Sequence, residues 1–138
     1  MENNQLKQLI DTSSRIILKV GSSLLINENN NDINYQWLKK FSREIQSLTD
    51  KKKQIMIVSS GSVALGRKQL NLVKNLSLDE KQAAAAVGQI HLSHAWKEVL
   101  KSFNLESAQI LLAPDDTETR RKHPVSYTHL TLPTTIEV

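Results

Sequence analysis

The sequence predicts an α/β fold built on a parallel sheet. Three aliphatic segments have strand length, helical patterns separate them, and glycine or proline closes each one. Two consecutive strand–helix–strand units of this kind set parallel strands side by side, with helices packed on the sheet faces. Forty of the 138 residues are Leu, Ile, Val or Phe. That is well above the content at which a chain fails to bury enough apolar surface to fold.

Residues 1–14 are mostly polar and read as an N-terminal extension. The run Arg15-Ile16-Ile17-Leu18-Lys19-Val20-Gly21 is continuous and aliphatic, as expected of a strand buried on both faces. From Asn27 to Asn34, five of eight residues are asparagine, which reads as a loop. Trp37, Phe41, Ile45 and Leu48 then recur at three- and four-residue spacing with Leu38 beside them, the apolar stripe of a helix. Gln54-Ile55-Met56-Ile57-Val58 is a second buried strand, closed by Ser59-Ser60-Gly61, and a short helix follows from Ser62 to about Leu70.

Ser77-Leu78-Asp79-Glu80 has the spacing of a capping box, in which serine and glutamate each satisfy the other's backbone N–H. It opens a long helix from Leu78 to near Phe103. Gly88 within that helix costs about 1 kcal/mol relative to alanine. With Ala83 to Ala86 just upstream, it predicts close approach by another backbone. Gln109-Ile110-Leu111-Leu112-Ala113 is a third buried strand, followed by Pro114-Asp115-Asp116. Beyond Pro124 the character changes: Glu137 is the one charge, four of fifteen residues are threonine, and no helical period is present. The organisation is therefore an extension over 1–14, a partial domain over 15–123, and a tail over 124–138 that reads as foreign to the domain and artefactual.

Composition narrows the function classes. The net charge of +4 is diffuse, Lys51-Lys52-Lys53 and Arg120-Arg121-Lys122 are short basic runs, and aromatic residues are only 4%. A nucleic-acid binder needs a broad basic face with interleaved aromatics, so none is expected as a partner. Zero cysteines exclude a disulfide scaffold and a thiolate metal site. No apolar run reaches the roughly 20 residues of a membrane helix, and the polar start is no signal peptide, so a cytoplasmic protein without a membrane partner is expected.

Ligands of open α/β sheets bind outside the carboxyl ends of the strands. Two polar constellations fall there. Lys19-Val20-Gly21-Ser22-Ser23 offers a point charge for phosphate and a glycine that lets backbone N–H groups approach an anion. Ser59-Ser60-Gly61-Ser62 opens into a helix, whose N-terminus suits carboxylate or phosphate. Either one alone is also an ordinary strand-to-helix turn. Competing motifs fail: in Gly61 to Lys68 the P-loop-like lysine arrives one residue late, and Gln69 replaces the magnesium-binding hydroxyl. No G-x-G-x-x-G is present. His91 and His94 lack a third zinc ligand, and Asp115-Asp116 reads first as a turn, with magnesium as its functional alternative.

Four segments in order carry a family resemblance: Ile17-Leu18-Lys19-Val20-Gly21-Ser22-Ser23, Ile57 to Arg67, Lys81 to Gln89, and Gln109-Ile110-Leu111-Leu112 with Asp116. The chain resembles, from Arg15 to about His123, the N-terminal part of the glutamate 5-kinases (γ-glutamyl kinases) of the amino-acid kinase family. The resemblance implies a three-layer α/β/α sandwich with a mainly parallel sheet, of which the first half is encoded here. It implies ATP-dependent phosphorylation of the L-glutamate side-chain carboxylate, the first step towards proline, with ATP and Mg2+ required. Lys19 would contact the transferring phosphate as the catalytic lysine, Gly21 and Ser22 would line the phosphate loop, and Ser60 with Gly61 would bind glutamate. No residue is assigned to metal. An intact family member is expected to be a homo-oligomer. The family's later Asn-Glu-Asn-Asp strand end, base pocket and second lysine have no counterpart here, so these 138 residues alone are expected to be inactive. Ser62 stands where the family has alanine. The alternatives are a truncated remnant that binds an anion or a partner without turnover, and a kinase of the same family acting on another small acid or phosphate.

Overall fold

The computed structural model describes residues 2–73, 75–112 and 134–137. Helix α1 (Glu2–Thr12) leads into strand β1 (Arg15–Val20) and the one-turn helix α2 (Ser22–Leu25). A hairpin of β2 (Ile26–Asn27) and β3 (Asp32–Ile33) precedes helix α3 (Tyr35–Asp50), which enters strand β4 (Gln54–Ser59). Helices α4 (Ser62–Gln69) and α5 (Leu78–Ser102) follow, then strands β5 (Ala108–Leu111) and β6 (Thr134–Glu137). Asp115, Asp116, His123 and residues 124–133 lie outside the described residues.

The main sheet has the order β1-β4-β6-β5, and every neighbouring pair in it is parallel. β1 and β4 pair from Arg15 with Gln54 through to Val20 with Ser59, so their carboxyl ends finish level. That register alternates the two faces of the sheet. Val20, Ile55, Ile57 and Ser59 are all buried on one face. Val20, Ile55 and Ile57 share one apolar cluster with Leu38 and Ile45 of α3 and Leu92, Trp96 and Val99 of α5. The core thus lies between the sheet and these two helices.

The opposite face is different. Ile17 is 69% exposed there, with Arg15 and Lys19 exposed on either side of it, and the edge strand β5 buries no residue fully. The expectation of strands buried on both faces is corrected: among the described residues, helices cover one face only. The third strand also begins one residue earlier than expected and ends at Leu111.

Helix α3 begins at Asn34, whose side chain accepts from the backbone N–H of Trp37 at 3.1 Å. Its stripe is arranged as the spacing implies, with Leu38 and Ile45 buried and Trp37, Phe41 and Leu48 packed beside them. Ser77 and Glu80 form both hydrogen bonds of the capping box at the start of α5. The close approach at Gly88 is also present. A Cβ there would overlap the carbonyl oxygen of Ser62, and one on Gly66 would overlap that of Ala84, so α4 and α5 touch backbone to backbone.

Two segments depart from the sequence reading. Residues 1–14 contain a helix, tied at its C-terminal end by the Lys53 ammonium, which donates to the carbonyls of Asp11 at 3.1 Å and Ser13 at 2.6 Å. The asparagine-rich loop contains the β2–β3 hairpin. Its cross-strand pair is Ile26 with Ile33, both buried, and its tip is shaped by asparagines. The Asn27 Oδ1 accepts from the Asn29 N–H, the Asn30 Oδ1 accepts from the Asp32 N–H, and Asn31 takes a left-handed φ of 50°.

Candidate functional site

The level ends of β1 and β4 bring the two polar constellations together. Val20 pairs with Ser59, and the Ser60 N–H donates to the Val20 carbonyl at 3.2 Å. Each strand then turns into a helix at a glycine: Gly21 caps α2 and Gly61 caps α4, neither with a side-chain cap. The first amides of a helix have no partner within it, and the backbone dipole concentrates positive potential at that end. Neither helix has an acidic residue in its first turn to cancel that potential.

The two glycines are there for different reasons. Gly61 has φ +127°, which an L side chain rarely adopts, and a Cβ on it would lie 3.0 Å from Ile26. The same position lies 3.8 Å from the Ser22 Cβ, which measures how closely the two turns approach. Gly21 is extended, at φ −74° and ψ 155°, and a Cβ there would meet only the Ser23 Oγ at 3.9 Å. Backbone geometry therefore does not require glycine at position 21.

A cavity of about 160 Å3 opens beside these turns, lined by Ser22, Ser23, Ile26, Glu28, Asn31 and Ala64. At about 30 Å3 per water it has room for about five waters, whereas small-molecule sites run to about 300–1,000 Å3. It has the size of one wall of a small-molecule site, not of a whole one. Glu28 is a carboxylate on that wall. Of the expected site residues, Gly21, Ser60 and Gly61 are half-buried at the strand ends and Ser22 is exposed. Lys19 is exposed on the open sheet face, one residue before the turn.

The hairpin forming part of the wall is pinned from α4. The Lys68 ammonium donates to the Asp32 carboxylate at 2.7 Å, the single ion pair among the described residues. This bond, the Ile33 N–H and the nearby charges of Lys68 and His91 hold the Asp32 carboxyl below its ordinary value. Lys68 is thus engaged in the helix that the P-loop-like spacing spans, as a hairpin partner. The walls contributed by Ile26, Glu28 and Asn31 were not marked by any chemical motif, because they belong to an asparagine-rich turn whose position depends on Ile26 packing against Gly61. No group of three His, Cys, Asp or Glu residues that could hold a metal occurs among the described residues. No helix among them is long and apolar enough to cross a membrane.

Comparison with known proteins bears on these strand-end turns. Over 111 residues the chain is 43% identical to a glutamate 5-kinase of Paramagnetospirillum magneticum, covering 80% of this chain. It is 47% identical over 110 residues to a glutamate 5-kinase of Rhodopseudomonas palustris, and 45% over 113 residues to one of Caulobacter vibrioides. Those matches cover 79% and 81% of this chain. The chain spans about 30% of the length of these curated relatives. The amino acid kinase family matches residues 14–133, which include both strand-end turns and the helices that support them. By that match and the parallel α/β sheet it accompanies, the chain belongs to the amino acid kinase family.

Proposed function

We propose that this chain is the front part of a kinase that uses ATP and Mg2+ to phosphorylate the side-chain carboxylate of L-glutamate, giving glutamyl 5-phosphate on the way to proline. The observation that carries the reading is the contact of two helix-opening turns at the ends of neighbouring parallel strands, Gly21-Ser22 beside Ser60-Gly61. Relatives named glutamate 5-kinase, 43–47% identical over this region, supply the reaction and the acceptor.

The chemistry asks for what such a pair of turns can provide. A glutamate side chain has a pKa of about 4.3 and is already an anionic nucleophile at neutral pH. No general base is needed. The barrier comes from bringing one anion in line with another, so the protein must position both and compensate their charge. In this reading the N–H groups after Gly21, with the Ser22 hydroxyl, cradle the phosphates of ATP. Lys19 takes the charge of the transferring group, and Ser60 with the Gly61 backbone holds the glutamate. When bound with ATP, Mg2+ supplies further neutralisation of the triphosphate. The described residues offer it no carboxylate cluster, and none is assigned to it.

A second reading concerns these 138 residues by themselves: they bind the anions without transferring phosphate. The small cavity and the 30% coverage of the relatives favour it. Calorimetric titration with L-glutamate and with ATP, alongside a glutamate-dependent phosphate-transfer assay, tests both readings. The expected result is binding of each ligand, transfer at background, and weaker ATP binding in Lys19→Ala. Transfer that requires Lys19 would replace the binding-only reading with a kinase complete in this chain. If neither ligand binds, or if another small acid binds in preference to glutamate, the glutamate assignment fails.

A further inference from the structure

Among the described residues the core contains two fully buried serines, and they are treated differently. Ser42 on α3 has a buried hydroxyl with no hydrogen-bond partner among the described residues. Ser59, the last residue of β4, accepts from the indole N–H of Trp96 on α5 at 3.1 Å. Ser59 is 1% exposed and Trp96 2%. Among the described residues this is the one hydrogen bond between side chains that are both buried.

We propose that the Trp96–Ser59 hydrogen bond positions the Ser60–Gly61 turn, which makes Trp96 a positioning residue for the acid-binding half of the site and a reporter of its occupancy. The part of the proposal concerning occupancy rests on the assignment of glutamate to that turn; the positioning does not.

The physical case begins with where the chain leaves the sheet. Through Ser59 the backbone of β4 is held by ladder pairing with Val20 of β1 and Glu137 of β6. One residue later it retains the Ser60 N–H bond to Val20, and at Gly61 it swings to a positive φ and enters α4. Ser59 is therefore the last firmly paired residue before the turn, and its side chain points into the core. A hydroxyl clamped there fixes the start of the turn from below, while Ile26 packs against Gly61 from the hairpin side.

The donor is itself immobile. Trp96 packs within the core cluster and meets Phe41 edge to face at 5.9 Å, and Phe41 stacks on Trp37 at 4.8 Å. A rank of three aromatic rings thus runs from α3 through α5 to the end of β4. In so dry a place a lone polar pair has no water to replace it, so breaking it leaves the surviving partner unsatisfied and releases the turn.

Hydrogen exchange and NMR on the 138-residue chain test this. The Trp96 indole N–H resonance is identified by its loss in Trp96→Phe. In Ser59→Ala we expect that indole N–H to exchange at least about tenfold faster. The Ser60 amide should lose protection by a similar factor, while the Leu18 amide in the middle of β1 keeps its own. Trp96→Phe should loosen Ser60 likewise, the double variant should be no worse than the more affected single one, and Ser59→Thr should restore protection. Unchanged Ser60 protection in both single variants overturns the positioning role. So does a loss of protection spread equally over Ser60 and Leu18, which would mark a general packing defect.

Titration with L-glutamate, following the Ser60–Ser62 amides and the Trp96 indole together, separates the two assignments. If the turn amides and the indole shift together, occupancy is reported as proposed. If the turn amides shift and the indole does not, the reporter role is wrong. If none shifts while the exchange pattern holds, the positioning role stands and the glutamate assignment of this turn fails.

Discussion

Gly21 and Gly61 stand at matching places, each the last residue before a helix, yet they answer to different constraints. A methyl group on Gly61 would force an L residue to φ +127° and press on Ile26 at 3.0 Å. Gly61→Ala should cost about 1–3 kcal/mol of stability. A methyl group on Gly21 meets nothing closer than 3.9 Å, so Gly21→Ala should leave stability within about 0.5 kcal/mol of the parent. In the proposed site, however, it stands where phosphate approaches the backbone, and ATP binding should weaken at least about tenfold through lost N–H contacts. Urea unfolding and calorimetry check the pair; Gly21→Ala binding ATP like the parent would remove this turn from the phosphate site. The sequence marks both glycines alike, since each simply ends an aliphatic run. Which one the backbone requires depends on dihedral angle and on Ile26. The Trp96–Ser59 bond was illegible for a similar reason: its partners are separated by 37 positions, and only the packing of α5 on β4 joins them.

Elements were legible where a local rule produces them. The capping box, the apolar stripe of α3 and the strand-length aliphatic runs are all decided within a few residues. The β2–β3 hairpin was not, because two-residue strands leave no alternation to detect, and its Ile26–Ile33 pair becomes apparent only once the tip has closed. Gly88 lies between these cases. Small residues upstream made close approach readable, but the partner, the first turn of α4, was not. By helix propensity alone, Gly88→Ala should stabilise α5 by about 1 kcal/mol. The new methyl would overlap the Ser62 carbonyl oxygen, the rigid backbone of the neighbouring helix. Overpacking should prevail, with a net loss of about 2 kcal/mol or more. Since Ser62 follows Gly61 directly, the variant should also weaken L-glutamate binding in the same titration. A Gly88→Ala chain more stable than the parent in thermal melts would show that α4 and α5 sit further apart than described.

At the scale of the whole molecule, the sheet has one face committed to a core and one open among the described residues. Ile57 and Ile17 make the comparison clean, because both are isoleucines within the paired parallel strands and differ in which side they face. Ile57 is 3% exposed, among Leu18, Ile45, Leu92 and Trp96 of the core cluster and its margin, whereas Ile17 is 69% exposed beside Met56. Strand propensity treats the two substitutions to alanine almost alike, so any large difference between them measures burial. Ile57→Ala should lose about 2–5 kcal/mol by removing buried methylenes and leaving a cavity. Ile17→Ala should stay within about 0.5 kcal/mol. Urea unfolding at matched m-values decides the matter, since a changed m-value would signal an altered unfolded state instead. Equal, large losses would mean that the face of Ile17, which is also the face of Lys19, is covered in solution. In the proposed site Lys19 would then act from a sheltered surface, where its charge is less screened and its attraction for phosphate stronger. Unequal losses leave Lys19 on an open face, where its proposed attraction for phosphate would act through water and be sensitive to salt.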